Sequence, residues 1–319
     1  MQRPPAAAVA LGLVAALLSL IPIGYLLLRL FEGFEAALEE LMRLRTLELL
    51  INTVGLTASV SVTALVIGGV QAWLTVRSNL PLAPVFAILA TLPLAIPSYV
   101  LALGYLSIFP AFSGFWASWA ILSLATAPYV FLALSAALIS SNFAAEEVAR
   151  SLGRSRWQVA RSVTWPQVRP AAFASVLLVA LYTLSEFGAI ALLRFDTFTR
   201  AIYNAYRGSF DRTSAAALAL VLVALTLIVI YFERRYRGDR WQAPSSSGRK
   251  RRVELGRARP LAVIGLSIFA AAGAGVPVVA LVAWTVNLEV FDWLRLGELV
   301  LSSLIVAAAA GAVIGLFAL

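Results

Sequence analysis

Thr213-Ser214-Ala215-Ala216-Ala217-Leu218-Ala219-Leu220-Val221-Leu222-Val223-Ala224-Leu225-Thr226-Leu227-Ile228-Val229-Ile230-Tyr231-Phe232 carries no charged residue over 20 positions. A helix needs about 20 mostly apolar residues to cross a bilayer, so the stretch predicts a membrane span at 213–232. Working outward, similar runs predict spans near 170–193, 116–139, 83–108, 49–74 and 6–30 on the N-terminal side. Two more follow, near 260–285 and 298–319. Composition agrees: 61% of the 319 residues are hydrophobic and 13% are charged, against about half and a quarter in soluble domains. The expected fold is an all-α polytopic membrane protein. Its first span follows Met1-Gln2-Arg3-Pro4-Pro5, is too long for a signal-peptide core and lacks a cleavage site, so it reads as an uncleaved helix.

The chain has no Cys and no His. That excludes a disulfide framework and leaves only oxygen ligands for any metal. It also argues against a membrane-embedded enzyme, which would use His, Cys or clustered acids. No catalytic residue, cofactor or metal site is expected.

Charge orients the bundle. Arg3, Arg77, the five Arg of 141–169 and the ten basic residues of 234–259 make 17, against 8 on the alternate segments. Cytoplasmic loops are the Lys/Arg-rich ones, so the N-terminus and the 141–169 loop are expected in the cytoplasm. Glu32 to Glu48 and the loop Arg194–Arg212 are expected outside. Residues 234–259 read as a basic, flexible linker, with Ser245-Ser246-Ser247-Gly248 before Arg249-Lys250-Arg251-Arg252. Its charge suits anionic lipid at the bilayer surface, not nucleic acid.

The segment after the linker resembles the start of the chain. Arg259-Pro260 echoes Arg3-Pro4, and Glu298-Leu299-Val300-Leu301-Ser302-Ser303 echoes Glu48-Leu49-Leu50-Ile51-Asn52-Thr53, 250 positions on. Val313-Ile314-Gly315 echoes Val66-Ile67-Gly68. Parallel repeats of a helical bundle are a common transporter plan. The expected organisation is a first span and external segment at 1–48, a transmembrane domain at 49–233 with a loop at 143–166, the linker 234–259, and the start of a second, truncated module at 260–319.

The loop carries the most specific pattern. Ala144 to Leu152 reads as a short helix, with acids early and Arg150 late, and Gly153 as its C-terminal turn. Arg154 to Val163 reads as a second helix that Pro166 ends. Such a projection suits insertion into a groove on a cytoplasmic partner.

Glu147-Val148-Ala149, three residues, Gly153, nine residues, then Val163-Thr164-Trp165-Pro166 resembles the EAA loop of binding-protein-dependent ABC importer permeases. Val148, Val163 and Trp165 depart from that pattern and stay apolar. The resemblance implies a six-helix type I importer module in a bacterial inner membrane, with Glu147, Ala149, Gly153, Val163 and Pro166 in a loop that docks on an ATPase subunit. It also implies a periplasmic substrate-binding protein and a second permease module as partners. No phosphate-binding glycine loop is present, so ATP hydrolysis is expected on the partner. Leu92-Pro93-Leu94-Ala95-Ile96-Pro97-Ser98-Tyr99-Val100, Ser185-Glu186-Phe187-Gly188-Ala189 and Asp196 to Tyr203 resemble the ferric-iron permeases, which implies ferric iron as cargo. Thiamine or another small solute is the alternative cargo. An ion-coupled secondary transporter would want more intramembrane charge.

Glu186 reads as a carboxylate well inside a span, where a charge costs about 2.5–3.5 kcal/mol, so it is a candidate pathway or gate residue. Pro93 and Pro97 interrupt the third span and free carbonyls. Tyr99, Tyr105 and Tyr182 are candidate oxygen donors. The repeat makes one testable demand: a second E-x-A-x3-G loop about 250 residues beyond the first, near position 400. Reading the coding sequence onward checks it, and its absence removes the two-module organisation.

Overall fold

A computed structural model describes residues 6–237, 252–286 and 292–318. These residues form helices joined by short turns. α1 (Ala6–Glu32) meets α2 (Phe34–Met42) at a 95° bend. α3 (Leu44–Arg77) is unbroken, and α4 (Ala83–Thr91) passes through a 3-10 turn, Leu92–Ala95, into α5 (Ser98–Ile108). α6 (Gly114–Ser140) precedes the loop helices α7 (Phe143–Ser151) and α8 (Arg156–Val159). A π turn, Ala160–Thr164, leads into α9 (Trp165–Ser185). Two short helices follow, α10 (Gly188–Leu192) and α11 (Phe198–Tyr203), and then α12 (Arg212–Arg237). Beyond the linker stand α13 (Arg259–Ala270), α14 (Val276–Val286) and α15 (Trp293–Ala318). Six helices among the described residues are long and apolar enough to cross a membrane, or eight spans if each bent pair counts as one. The chain is an all-α polytopic membrane protein.

The core is a seam between α3 and α6. α3 buries Leu56, Val60, Ala64, Gly68 and Ala72 along this seam, four apart on one face, while Leu49 packs with Phe198, Ala201 and Leu218. Small residues let helix backbones approach closely in a membrane. Gly68 shows this: a Cβ there would lie 2.6 Å from the Ala127 carbonyl oxygen and 2.8 Å from the Phe131 nitrogen. Val130, Phe131, Leu134 and Ile121 of α6 complete the seam, and Val179 and Ala172 of α9 close its third side.

The third span breaks where its prolines predict. Pro93 sits in the 3-10 turn, Ile96 before Pro97 is extended, and the axis turns by 91°. The fifth span differs from its expected bounds of 170–193. The helix runs over Arg156–Ser185, with the chain broken after it. Pro166 does not end the loop's second helix, because the preceding π turn widens the backbone and Trp165 N–H bonds back to the Ala160 carbonyl. The ring, which would otherwise press on the carbonyl four residues back, then sits in the first turn of α9. The same arrangement recurs at Pro277, two residues after the π turn Ala271–Gly275.

The segment 252–286 packs on the broken span. A Cβ on Gly273 would meet Pro93 Cγ at 2.6 Å, and one on Gly104 would meet Pro277 Cα at 2.7 Å. The Tyr105 hydroxyl donates to the Ala272 carbonyl, 2.9 Å. The described side chains of α15 are all exposed. The linker's Ser/Gly run and the Arg249-Lys250-Arg251 cluster fall outside the described residues, as does the Arg3-Pro4 start of the repeat.

Asp211 caps α12. Its carboxylate accepts from Thr213 N (3.1 Å), Ser214 N (3.0 Å) and the Ser214 hydroxyl (2.6 Å). The Ser214 hydroxyl, then its N–H, hold the carboxyl below its usual value of 3.8, outweighing partial burial. A folded-state value below the unfolded one means the stabilisation is complete above about pH 4 and fades as pH falls through the depressed value. Asp211→Ala is therefore expected to cost about 1 kcal/mol at neutral pH, and the difference from wild type should shrink in acid; thermal unfolding in detergent at both pH values checks this. Gly68→Val should cost about 1–3 kcal/mol or more by forcing α3 from α6, in the same assay.

Candidate functional site

The 143–166 loop is a built structure. Asn142 Oδ1 accepts from Ala145 N (3.2 Å) and starts α7, while Asn142 N donates to Gln167 Oε1 (2.7 Å), tying the loop's two ends together. α7 is amphipathic: Phe143, Glu146 and Ala149 are buried, and Glu147, Val148, Ser151 and Leu152 are exposed. It ends as predicted. Gly153 has φ +82°, the left-handed region, and Arg154 N bonds to the Ala149 carbonyl (3.2 Å). Ser155 and Gln158 then form a reciprocal capping box that starts α8. The result is a helix–turn–helix with Val148 (58%), Leu152 (75%) and Trp157 (75%) exposed.

A buried ion pair holds this projection to the bundle. Arg77, the last residue of α3, meets Glu146 through two bonds, Nη2 to Oε1 at 2.9 Å and Nη1 to Oε2 at 3.2 Å. Both side chains are over nine-tenths buried. The Thr164 hydroxyl donates to Glu146 Oε1 (2.9 Å), the guanidinium also reaches Ser141 Oγ, and it lies 4.0 Å from the Phe143 ring centre. A bidentate fork of this kind is the strong form of an ion pair. Within the pair itself, Arg77 Nε is the one charged-group atom that makes no hydrogen bond. A cleft of about 380 Å³, lined by Trp73, Arg77, Glu146, Arg150 and Thr164 among others, opens beside the pair.

The residues expected in this loop therefore split. Glu147 and Gly153 are exposed on its outer side, Ala149 packs inward, Val163 is half-buried in the π turn and Pro166 is exposed. Glu146 and Arg77 lie outside the loop residues that the sequence pattern singles out. The i, i+3, i+6 spacing of Phe143, Glu146 and Ala149 was the available signal, since it puts Glu146 on the apolar face. Its partner, 69 positions away, carried none.

The second site lies towards the opposite face. Glu186 is not within a helix: it follows the last residue of α9, at a rise of about 26 Å from Arg169. Glu186 Oε2 accepts from the Ser98 hydroxyl (2.8 Å) and Oε1 from Ala189 N (2.9 Å), and its carbonyl accepts from Thr199 Oγ1 (2.8 Å). Its carboxylate thus sits at the starts of α5 and α10, where helix N-termini favour negative charge. Tyr99 packs on Gly188, and the Tyr182 ring lies 6.0 Å from that of Tyr129. Pro97, Tyr99, Tyr182 and Glu186 therefore meet at the break, whereas Tyr105 is engaged by α13–α14. Among the described residues no group of three or more His, Cys, Asp or Glu could hold a metal.

Residues 64–237 match the family described as binding-protein-dependent transport system inner membrane component. The chain is 34% identical over 291 residues to the Fe(3+)-transport system permease protein FbpB 2 of Haemophilus influenzae, covering 89% of this chain and 57% of that protein. It thus spans little more than half of that relative's length. It is 29% identical over 245 residues to the sulfate transport system permease protein CysW of Escherichia coli, covering 68% of this chain and 83% of that one. Among solved structures, an inward-facing MetNI methionine ABC transporter chain aligns at a TM-score of 0.49 and 19% identity, over 61% of this chain and 98% of that one.

Removing one partner of a buried pair strands the other charge and costs about 3–5 kcal/mol. Glu146→Ala is expected to lose that much and to free α7, while Arg77→Met with Glu146→Leu should recover most of the stability. Thermal unfolding gives the first quantity, and protease access to the 143–156 segment gives the second.

Proposed function

The chain belongs to the family of binding-protein-dependent transport system inner membrane components, and from that premise we propose that it is the permease of an ABC importer that moves ferric iron. An ATPase on a separate subunit supplies the energy, a periplasmic binding protein delivers the cargo, and a second permease module completes the path. The observation that carries this reading is the anchored projection at 143–166. Its exposed Val148, Leu152 and Trp157 are an apolar ridge on a rigid helical hairpin, suited to a groove on the ATPase. Glu147 and Gly153 belong, on this reading, to the same docking loop. In this reading the loop and the N-terminus face the cytoplasm, and α2 and α11 face the periplasm.

Ferric iron as cargo is supported by the printed function of the 34% identical relative and by the 92–100 and 185–203 segments. The Glu186 break is the proposed gate: a carboxylate, Tyr99, Tyr182 and the Pro97 kink join two discontinuous helices, the arrangement transporters use at their pathways. Selectivity rests on the binding protein, because one carboxylate with phenols is a poor hard-cation cage. A second reading, oxyanion transport, is favoured by the sulfate relatives at 27–29% identity. A thiamine permease remains the third.

Two measurements test this. Trp157→Ala should weaken ATPase association by about thirty-fold, the loss of a central anchor worth about 2 kcal/mol; association unchanged after Trp157→Ala and Leu152→Ala together would place docking elsewhere. Vesicles holding the full transporter should take up labelled ferric iron and not labelled sulfate or thiamine, and Glu186→Ala should reduce that uptake.

A further inference from the structure

The linker does not simply cross from α12 to α13. Its last residues, Arg252-Val253-Glu254-Leu255, form a bridge with the end of α3. Val253 N donates to the Arg77 carbonyl (2.7 Å), Asn79 N donates to the Val253 carbonyl (3.0 Å), and Leu255 N donates to Asn79 Oδ1 (2.9 Å). Ser78 and Val253 make an isolated parallel β-bridge, with Ser78 1% exposed. Val253 also lines the cleft beside Arg77, Phe143, Glu146 and Thr164. Leu255 packs with Leu74, Leu80, Phe86 and Leu266.

Arg77 is therefore held twice. Its side chain grips Glu146 at the base of α7, and its carbonyl, one of the helix-end acceptors with no partner inside α3, is satisfied by the linker. A connection needed only for length would leave these groups to water. We propose that residues 252–255 are a strap that transmits movement of the 143–166 loop, through Arg77, to α13–α14. That pair in turn packs on the broken span at Pro93–Gly273 and Gly104–Pro277. The strap makes a second route from the loop to the break at Pro97, separate from α9. It rests on the loop being the coupling element, the reading given above.

The experiment separates the two claims. The 319-residue chain is compared with Asn79→Ala and with Val253→Pro, which removes the N–H that meets the Arg77 carbonyl. Hydrogen exchange of the permease by itself reads the strap. Faster exchange is expected, by tenfold or more, in 252–255 and also in α7 and the first turns of α13. Faster exchange confined to 252–255 overturns the proposal, as does no change. With the ATPase subunit bound, both variants should keep wild-type association and lose several-fold of the binding-protein stimulation of ATP hydrolysis. Full stimulation in both overturns the strap, and so does loss of association, which would place the effect on docking instead. Because the chain has no cysteine, Ser78→Cys with Val253→Cys gives a clean crosslink. Stimulation retained after oxidation supports a permanent strap; stimulation lost means the bridge must open and overturns it.

Discussion

Arg77 and Glu146 form the contact on which the loop-bearing face depends. Two charges taken from water cost several kcal/mol each unless closely matched and hydrogen-bonded. Here the match comes from a two-point fork, the hydroxyls of Ser141 and Thr164, and an aromatic face at Phe143. These groups come from the end of α3, the end of α6, the start of α7 and the π turn before α9. None of those segments can lift away without leaving a charge or a donor unpaired. The pair thereby ties the 143–166 loop to the end of α3, the longest of the described helices.

Elsewhere the bundle is held by close backbone approaches. Gly68 brings α3 against α6, Gly104 accepts Pro277, and Gly273 accepts Pro93. In a membrane there is little hydrophobic drive between helices, so such contacts, dispersion and interhelical hydrogen bonds set the packing. The Tyr105 bond to the Ala272 carbonyl uses the π turn at Ala271–Gly275. The breaks at Pro97 and Glu186 lie together because Ser98 and Ala189 share one carboxylate. Broken helix ends within a membrane protein need their polar groups satisfied by protein, and the Glu186 carboxylate accepts from both Ser98 and Ala189.

The legibility of these features in the sequence follows their range. Helix-length apolar runs, the Pro93–Pro97 break and the Gly153 turn all depend on residues within a few positions, and each was readable. Pro166 is an exception, since a proline ends a helix only if the backbone before it stays α. The π turn at Ala160–Thr164 relieves that constraint, and its residues Ala-Arg-Ser-Val-Thr carry no distinctive mark. The fifth span starts earlier than its expected bounds because the loop's second helix runs on past Pro166 into α9, its arginines extending into the polar zone as charged side chains near a helix end do. Glu186 reads as a helix-interior residue because Gly188–Leu192 continues the apolar run across a broken backbone.

The sequence alone determined the class of this protein, its approximate spans and the loop pattern 147–166. Apolar length, charge placement and turn chemistry are local properties, and the bilayer leaves helices few alternatives. Tertiary structure decided which of two adjacent acids is buried, which arginine meets it, and that Val253 returns to cap α3. Those choices depend on groups 69 and more positions apart and on the cost of leaving a buried charge or carbonyl unpaired, which is settled only when all the helices are in place.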